Sequence, residues 1–84
     1  MQTITNNDIN PFTSSAEAIF EWGMKYCSGA GVAQNLVEAH KWFNIAAMKG
    51  SDSARRYRLD IAAEMSLEEI AEAQRMARAA MTLH

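Results

Sequence analysis

Three times along this 84-residue chain a serine or asparagine is followed three residues later by glutamate: Ser14 and Glu17, Asn35 and Glu38, Ser66 and Glu69. At that spacing the first side chain can accept an orphan backbone N–H at a helix start, while the carboxylate reaches back to the cap's own N–H. Behind each pair, apolar residues recur every three to four positions, the period of a helix with one buried face. A fourth start follows Gly50, at Ser51-Asp52. Four helical segments joined by short connections leave an all-α fold as the expectation.

The pattern predicts a first helix from about Ser15 to Ser28, ended by Gly29-Ala30-Gly31, since glycine reaches positive φ without steric cost. The second follows Asn35, turns Leu36, Ala39, Phe43 and Ala46 inward, and stops at Gly50. The third runs from about Asp52 to Glu64 with Ala54, Tyr57, Ile61 and Met65 inward. The fourth reaches about Met81 with Leu67, Ile70, Ala73, Ala77 and Ala80 on its apolar stripe. The polar opening before Pro11 has no such period, so residues 1–13 are expected to form a flexible arm and residues 14–84 one helical domain. A chain this short buries only roughly 60 to 65% of its unfolded surface, so its core is thin and its large aromatics, Tyr26 and Trp42, matter. Gly23 falls mid-helix, where glycine costs about 1 kcal/mol against alanine. Close packing against the second helix is the expected compensation, with Ala46-Ala47 as the small surface opposite.

The two helix pairs repeat weakly. Ala18 and Ala54 stand at matching helix starts, and Glu38-Ala39-His40-Lys41-Trp42 aligns with Glu72-Ala73-Gln74-Arg75-Met76. The second pair is then a shortened copy in which Met65-Ser66 replaces the glycine turn, as terminal units of stacked arrays often are.

From Ala18 onward, Phe20, Trp22-Gly23, Tyr26, Gly29, Gly31-Val32, Gln34-Asn35, Ala39, Trp42, Ala46-Ala47, Gly50 and Ala54 resemble a Sel1-like repeat. Trp22 stands where that family prefers leucine and Asn35 where it prefers aspartate, substitutions that keep a large core side chain and a helix cap. Ala54, Arg58, Ala62-Ala63, Met65-Ser66 and Ile70-Ala71-Glu72-Ala73-Gln74-Arg75 are similar to a degenerate terminal unit of bacterial Sel1-like chains. The resemblance implies an α/α superhelix of two antiparallel hairpins, related to tetratricopeptide repeats, that binds proteins in signalling or assembly. It implies no chemistry.

The residues themselves point the same way. The first helix is apolar nearly all round, and one buried face cannot hold Ile19, Phe20, Trp22, Met24, Tyr26 and Cys27 together. With Trp22, Gly23 and Tyr26 turned into the hairpin, Phe20, Met24 and Cys27 form a second stripe at i, i+4 and i+7. That stripe is either a partner-binding surface, with Arg55 and Arg58 of the third helix beside it, or a seam covered by the third helix or by Phe12 or Ile9 of the arm. Arg58 matches Trp22 in the first repeat and is expected to turn partly inward onto a carboxylate or helix-end carbonyls.

Other chemistries find little support. Five of the eight cationic residues, Arg55, Arg56, Arg58, Arg75 and Arg78, lie on the last two helices. Glutamates stand among them, and Asp52 with Arg56 and Glu72 with Arg75 have helix-pair spacing, which predicts a solvated, salt-bridged face rather than a phosphate-binding one. A net charge of −2 supplies no field for nucleic acid or anionic lipid. His40, His84 and Cys27 share no helix face at ligand spacing, so no metal is predicted. No cofactor motif or catalytic residue stands out, and a single cysteine forms no internal disulfide. Met1 to Phe12 carry no Lys or Arg and no apolar run, unlike a signal peptide, and with no membrane-length stretch the sequence predicts a cytoplasmic protein. The expected role is protein binding, as an adaptor or as a stoichiometric inhibitor of one enzyme or complex. Nucleic-acid binding through the arginines is the reading from another class. Two repeats are fewer than a stable array generally needs, so a homodimer extending the stack is a further expectation.

Overall fold

The computed structural model describes residues 10–82, and among them lie four α-helices and no strand: α1 (Ala16–Ser28), α2 (Leu36–Met48), α3 (Asp52–Ala62) and α4 (Leu67–Ala80). The fold is all-α, built of helical hairpins. Each helix begins on a hydroxyl or amide side chain. Asn35 accepts the N–H of Glu38 at 3.1 Å, Ser51 that of Ala54 at 3.0 Å, and Ser66 that of Glu69 at 3.0 Å. At Ser66 the box is complete, with the Glu69 carboxylate accepting the Ser66 N–H at 2.8 Å. At α1 the expected Ser14–Glu17 pair is displaced by one residue. Ser15 is the cap, accepting the Ala18 N–H, while the Ser14 hydroxyl accepts the N–H of Asn10 and closes a turn ahead of the helix. Adjacent serines offer two caps, and the one before Ala16 wins because it leaves Ser14 free to hold that turn.

α1 ends on Gly29, whose φ of 78° lets its N–H return to the Lys25 carbonyl at 2.8 Å. The loop to α2 is tied back on α1, where the Tyr26 carbonyl accepts the Asn35 N–H and the Cys27 carbonyl accepts the Gln34 side-chain N–H. The α1–α2 hairpin is thereby fixed by backbone polar groups as well as by packing.

α2 is the helix on which α1, α3 and α4 all rest. Its run from Trp42 to Ala46 is buried on every side, because three neighbours leave it no solvent face. The core joins Ile19, Trp22 and Tyr26 of α1 with Ala39, Trp42, Phe43, Ile45 and Ala46 of α2, and α3 and α4 add Ala54, Ile61 and Ala77. Trp42 meets its polar need within its own helix, donating from Nε1 to Glu38 at 3.3 Å while the Lys41 ammonium lies over its ring.

Gly23 does permit close packing, but onto an aromatic ring and not onto Ala46-Ala47. A methyl group at residue 23 would lie 2.7 Å from two carbons of the Phe43 ring. The glycine makes room for the largest fully buried side chain among the described residues.

Of the expected core positions, Leu67 and Tyr57 are exposed, and Leu36, Met65, Ile70 and Ala80 are only partly buried. Leu67 is 84% exposed, because the first residue of α4 projects past the turn and not onto α2. Tyr57 is 40% exposed, although its ring meets those of Phe20 and Phe43. Met65 is partly buried against the core, in the turn left by a third helix that ends at Ala62. Ile9 and His84 lie outside the described residues.

Candidate functional site

α1 and α3 run side by side in the same direction. Phe20 meets Tyr57 with ring centroids 5.6 Å apart, and the Glu64 carboxylate, in the turn after α3, acts on Cys27. Both pairings join residues separated by 37 in the chain, the signature of two parallel helices in register. Their backbones touch only lightly, so the space between them is a groove closed below by α2.

The groove floor is aromatic. Phe20 of α1, Phe43 of α2 and Tyr57 of α3 form a triangle with centroid separations of 5.6 to 5.9 Å and tilted rings, a geometry aromatic pairs favour over flat stacking. Phe43 is fully buried, whereas Phe20 and Tyr57 keep part of their surface in solvent. At one end the groove opens into a hollow of about 310 Å³ lined by Ala16, Glu17 and Phe20 from α1 and by Ser51 and Ser53 from the start of α3. Beside it the segment before α1 is clamped down, with the Lys49 ammonium donating to the carbonyls of Pro11 at 2.7 Å and Phe12 at 3.3 Å.

Phe20, Met24 and Cys27 thus share one strip, each half-buried, along the α1 wall. The third helix covers part of this strip through Tyr57 and leaves the rest open. Phe12 stays 44% exposed. Burial first and the Glu64 carboxylate second push the Cys27 thiol above the usual range, away from the reactive thiolate.

The two arginines go elsewhere. Arg55 lies two positions from Tyr57, which in a helix means nearly the opposite side, and it is exposed with Asp52 as its partner at 3.5 Å. The Asp52–Arg56 pairing expected from spacing is thus replaced by one a residue shorter. Arg58 does turn inward, but its partner is neither a carboxylate nor a helix-end carbonyl. It donates from Nη1 to the Asn44 side-chain oxygen at 2.7 Å.

Asn44 in turn lies 3.2 Å from Nδ1 of His40 through its Nδ2. Arg58 has only donors, so the Asn44 oxygen must face it and the Asn44 N–H must face His40. Nδ1 of His40 is therefore the acceptor, and the ring is neutral with its proton on Nε2. Burial chiefly, and then the Arg58 charge, hold the His40 pKa below its ordinary value, in keeping with that assignment. His40 is 2% exposed, so this relay is a polar rivet between α2 and α3, closed to metal or substrate. Sequence reasoning weighed His40 only as a metal ligand and passed over Asn44. The signal was their i, i+4 spacing on one face of an otherwise largely apolar helix, opposite an arginine expected to point inward.

A second hollow of about 300 Å³ lies between α2 and α4, lined by Asn44, Met48, Gln74, Ala77 and Arg78. Its mixed walls bring together no acid–base pair and no nucleophile. Among the described residues no three His, Cys, Asp or Glu side chains converge as a metal site, and no helix is long and apolar enough to cross a membrane. Compared with family models, curated proteins and solved structures, the chain matches none.

Proposed function

We propose that this chain is a cytoplasmic protein-interaction module, not an enzyme, and that the α1–α3 groove receives a helix or peptide of a partner protein. The observation that carries this reading is the strip of Phe20, Met24 and Cys27 beside Tyr57, an apolar, half-open run along one wall of the groove. A flexible methionine among aromatics suits a surface that repacks around a ligand, and helix-in-groove recognition is the physical mode that fits parallel walls. The parallel register of α1 and α3 also accords with the Sel1-like resemblance, in which first helices of successive repeats line the binding face. Pairing of Arg55 with Asp52 and of Arg75 with Glu72, and the inward turn of Arg58, speak against nucleic acid as the ligand.

The test is affinity capture of the partner from the native cell with the wild-type chain and with Met24→Asp. Met24 touches the core only at its margin, so the variant keeps its helical circular dichroism, and its capture of the partner is expected to fall at least about tenfold, as for a residue central to an interface. Unchanged capture by a folded Met24→Asp chain would remove the groove from consideration.

A further inference from the structure

The groove has a sign as well as a shape. Glu17 and Glu21 stand one turn apart on α1, on the solvent side of the Phe20–Met24 strip. Asp60 and Glu64 stand four residues apart at the end of α3 and in the turn after it, on the side of Tyr57. Like charges at that spacing repel along a helix, and here two such pairs flank one apolar floor, Glu17 and Glu21 toward one end and Asp60 and Glu64 toward the other. All four carboxylates are exposed, and none has an ion-pair partner among the described residues.

Among the described residues Arg56, one turn before Asp60, leaves the rim one unpaired cation against four carboxylates, and most of the other cations are engaged elsewhere. Lys25, one turn on from Glu21, lies over the Trp22 ring, Lys41 bonds Glu38, and Lys49 holds the Pro11 and Phe12 carbonyls. Arg55, Arg58 and Arg75 are held by Asp52, Asn44 and Glu72. Residues 1–9 contain no Lys or Arg, so they cannot supply the missing charge. A second copy of the chain offers Arg56 and Arg78, which sit on different helices and form no stripe.

We infer that the partner segment is a cationic amphipathic helix, whose apolar stripe lies on Phe20, Met24 and Tyr57 and whose flanking Lys or Arg residues meet Glu17 and Glu21 on one wall and Asp60 and Glu64 on the other. This rests on the groove being the docking surface. Rim charges of this kind set orientation and partner choice, while the apolar stripe supplies the burial. An anionic ligand, nucleic acid or phospholipid, is repelled by the same four groups.

Three synthetic amphipathic helices test it, alike in carrying leucine at i, i+3, i+4 and i+7 but with lysine, glutamine or glutamate on the flanks. Binding is followed by fluorescence anisotropy of the labelled peptides. The lysine peptide is expected to bind about tenfold or more tighter than the glutamate peptide, an advantage that shrinks between about 50 and 300 mM salt. It is also expected to lose that advantage in the Glu21→Lys/Asp60→Lys chain and to keep it in Glu68→Lys, a control on α4. Equal binding of the three peptides, abolished by Met24→Asp, overturns the cationic partner and leaves the groove as a docking surface. Binding indifferent to Met24→Asp, or no binding by any peptide, overturns both. Sedimentation showing the chain pairing with itself through a surface that Met24→Asp disrupts would give the groove to a second copy and overturn the inference equally.

Discussion

The α1–α2 hairpin brings Ile19, Trp22, Tyr26, Trp42, Phe43 and Ile45 to the core, whereas α3 and α4 bring Ala54, Ile61, Ala73 and Ala77. Large side chains in the first pair fill volume; alanines in the second let helix backbones lie close to α2. Apolar burial scales with area, so most of the hydrophobic stabilisation resides in the first pair. The second is held by other means, by the Arg58–Asn44–His40 relay, by the Tyr57 ring on Phe20 and Phe43, and by a complete capping box at Ser66. A thin chain can thus divide its labour, one hairpin carrying the core and the other carrying a wall of the groove. The groove exists only while that lighter wall is docked.

The contrast is broken most severely at Phe43, which belongs to both halves. Phe43→Ala is expected to cost about 3–5 kcal/mol, a large part of the whole stability of a domain this size. The loss should appear as one cooperative shift of the urea midpoint for all four helices. A variant that melted only α3 and α4 would show that α1 and α2 do not depend on this ring.

An intermediate effect is expected at the relay. Asn44→Ala leaves Arg58 without its acceptor and His40 without its donor, a loss of about 1–3 kcal/mol. The same relay makes stability depend on pH. The folded-state pKa of His40 lies below the ordinary value near 6.5, so between the two values the unfolded chain binds the extra proton. Its contribution is therefore complete above about pH 6.5 and declines as the pH falls toward the folded-state value. Thermal melts across this range check the sign, and a His40→Gln chain that kept the same acid slope would assign it to other groups.

The smallest effect belongs to the lighter half alone. Ser66→Ala removes half of the capping box and is expected to cost about 1 kcal/mol. Amide exchange should quicken about fivefold at the start of α4, with α1 unchanged. Equal quickening in α1 and α4 would mean that the two hairpins open together.

The helices were legible because their punctuation is local. Ser51, Ser66 and Asn35 cap where their sequence says they should, and Gly29 ends α1 as only a residue free to adopt positive φ does readily. Burial was legible where the apolar period is surrounded by more of the same, as along α2. It failed at Leu67, where periodicity continues through a first helical residue that projects into solvent, and at Tyr57, which stays 40% exposed at the groove although Phe20 and Phe43 meet its ring. The strip of Phe20, Met24 and Cys27 was visible as surplus apolar area, but which wall faced it was not. That depends on the 37-residue register between α1 and α3, a product of how both lie on α2. Arg58 pointed inward as its repeat position suggested, yet its acceptor is an asparagine one helix away, and no spacing within a helix reports a contact between helices.

The meeting of Gly23 with the Phe43 ring bears on how such a chain can change over time. The two positions are coupled, because alanine at 23 demands a smaller ring or none at 43, while a smaller residue at 43 alone leaves a hole. Either single step passes through a less stable chain, and only the paired step avoids it. Two residues 20 apart in sequence are thus bound to a common history, and a library varying both together should recover folded chains that neither single-site library contains.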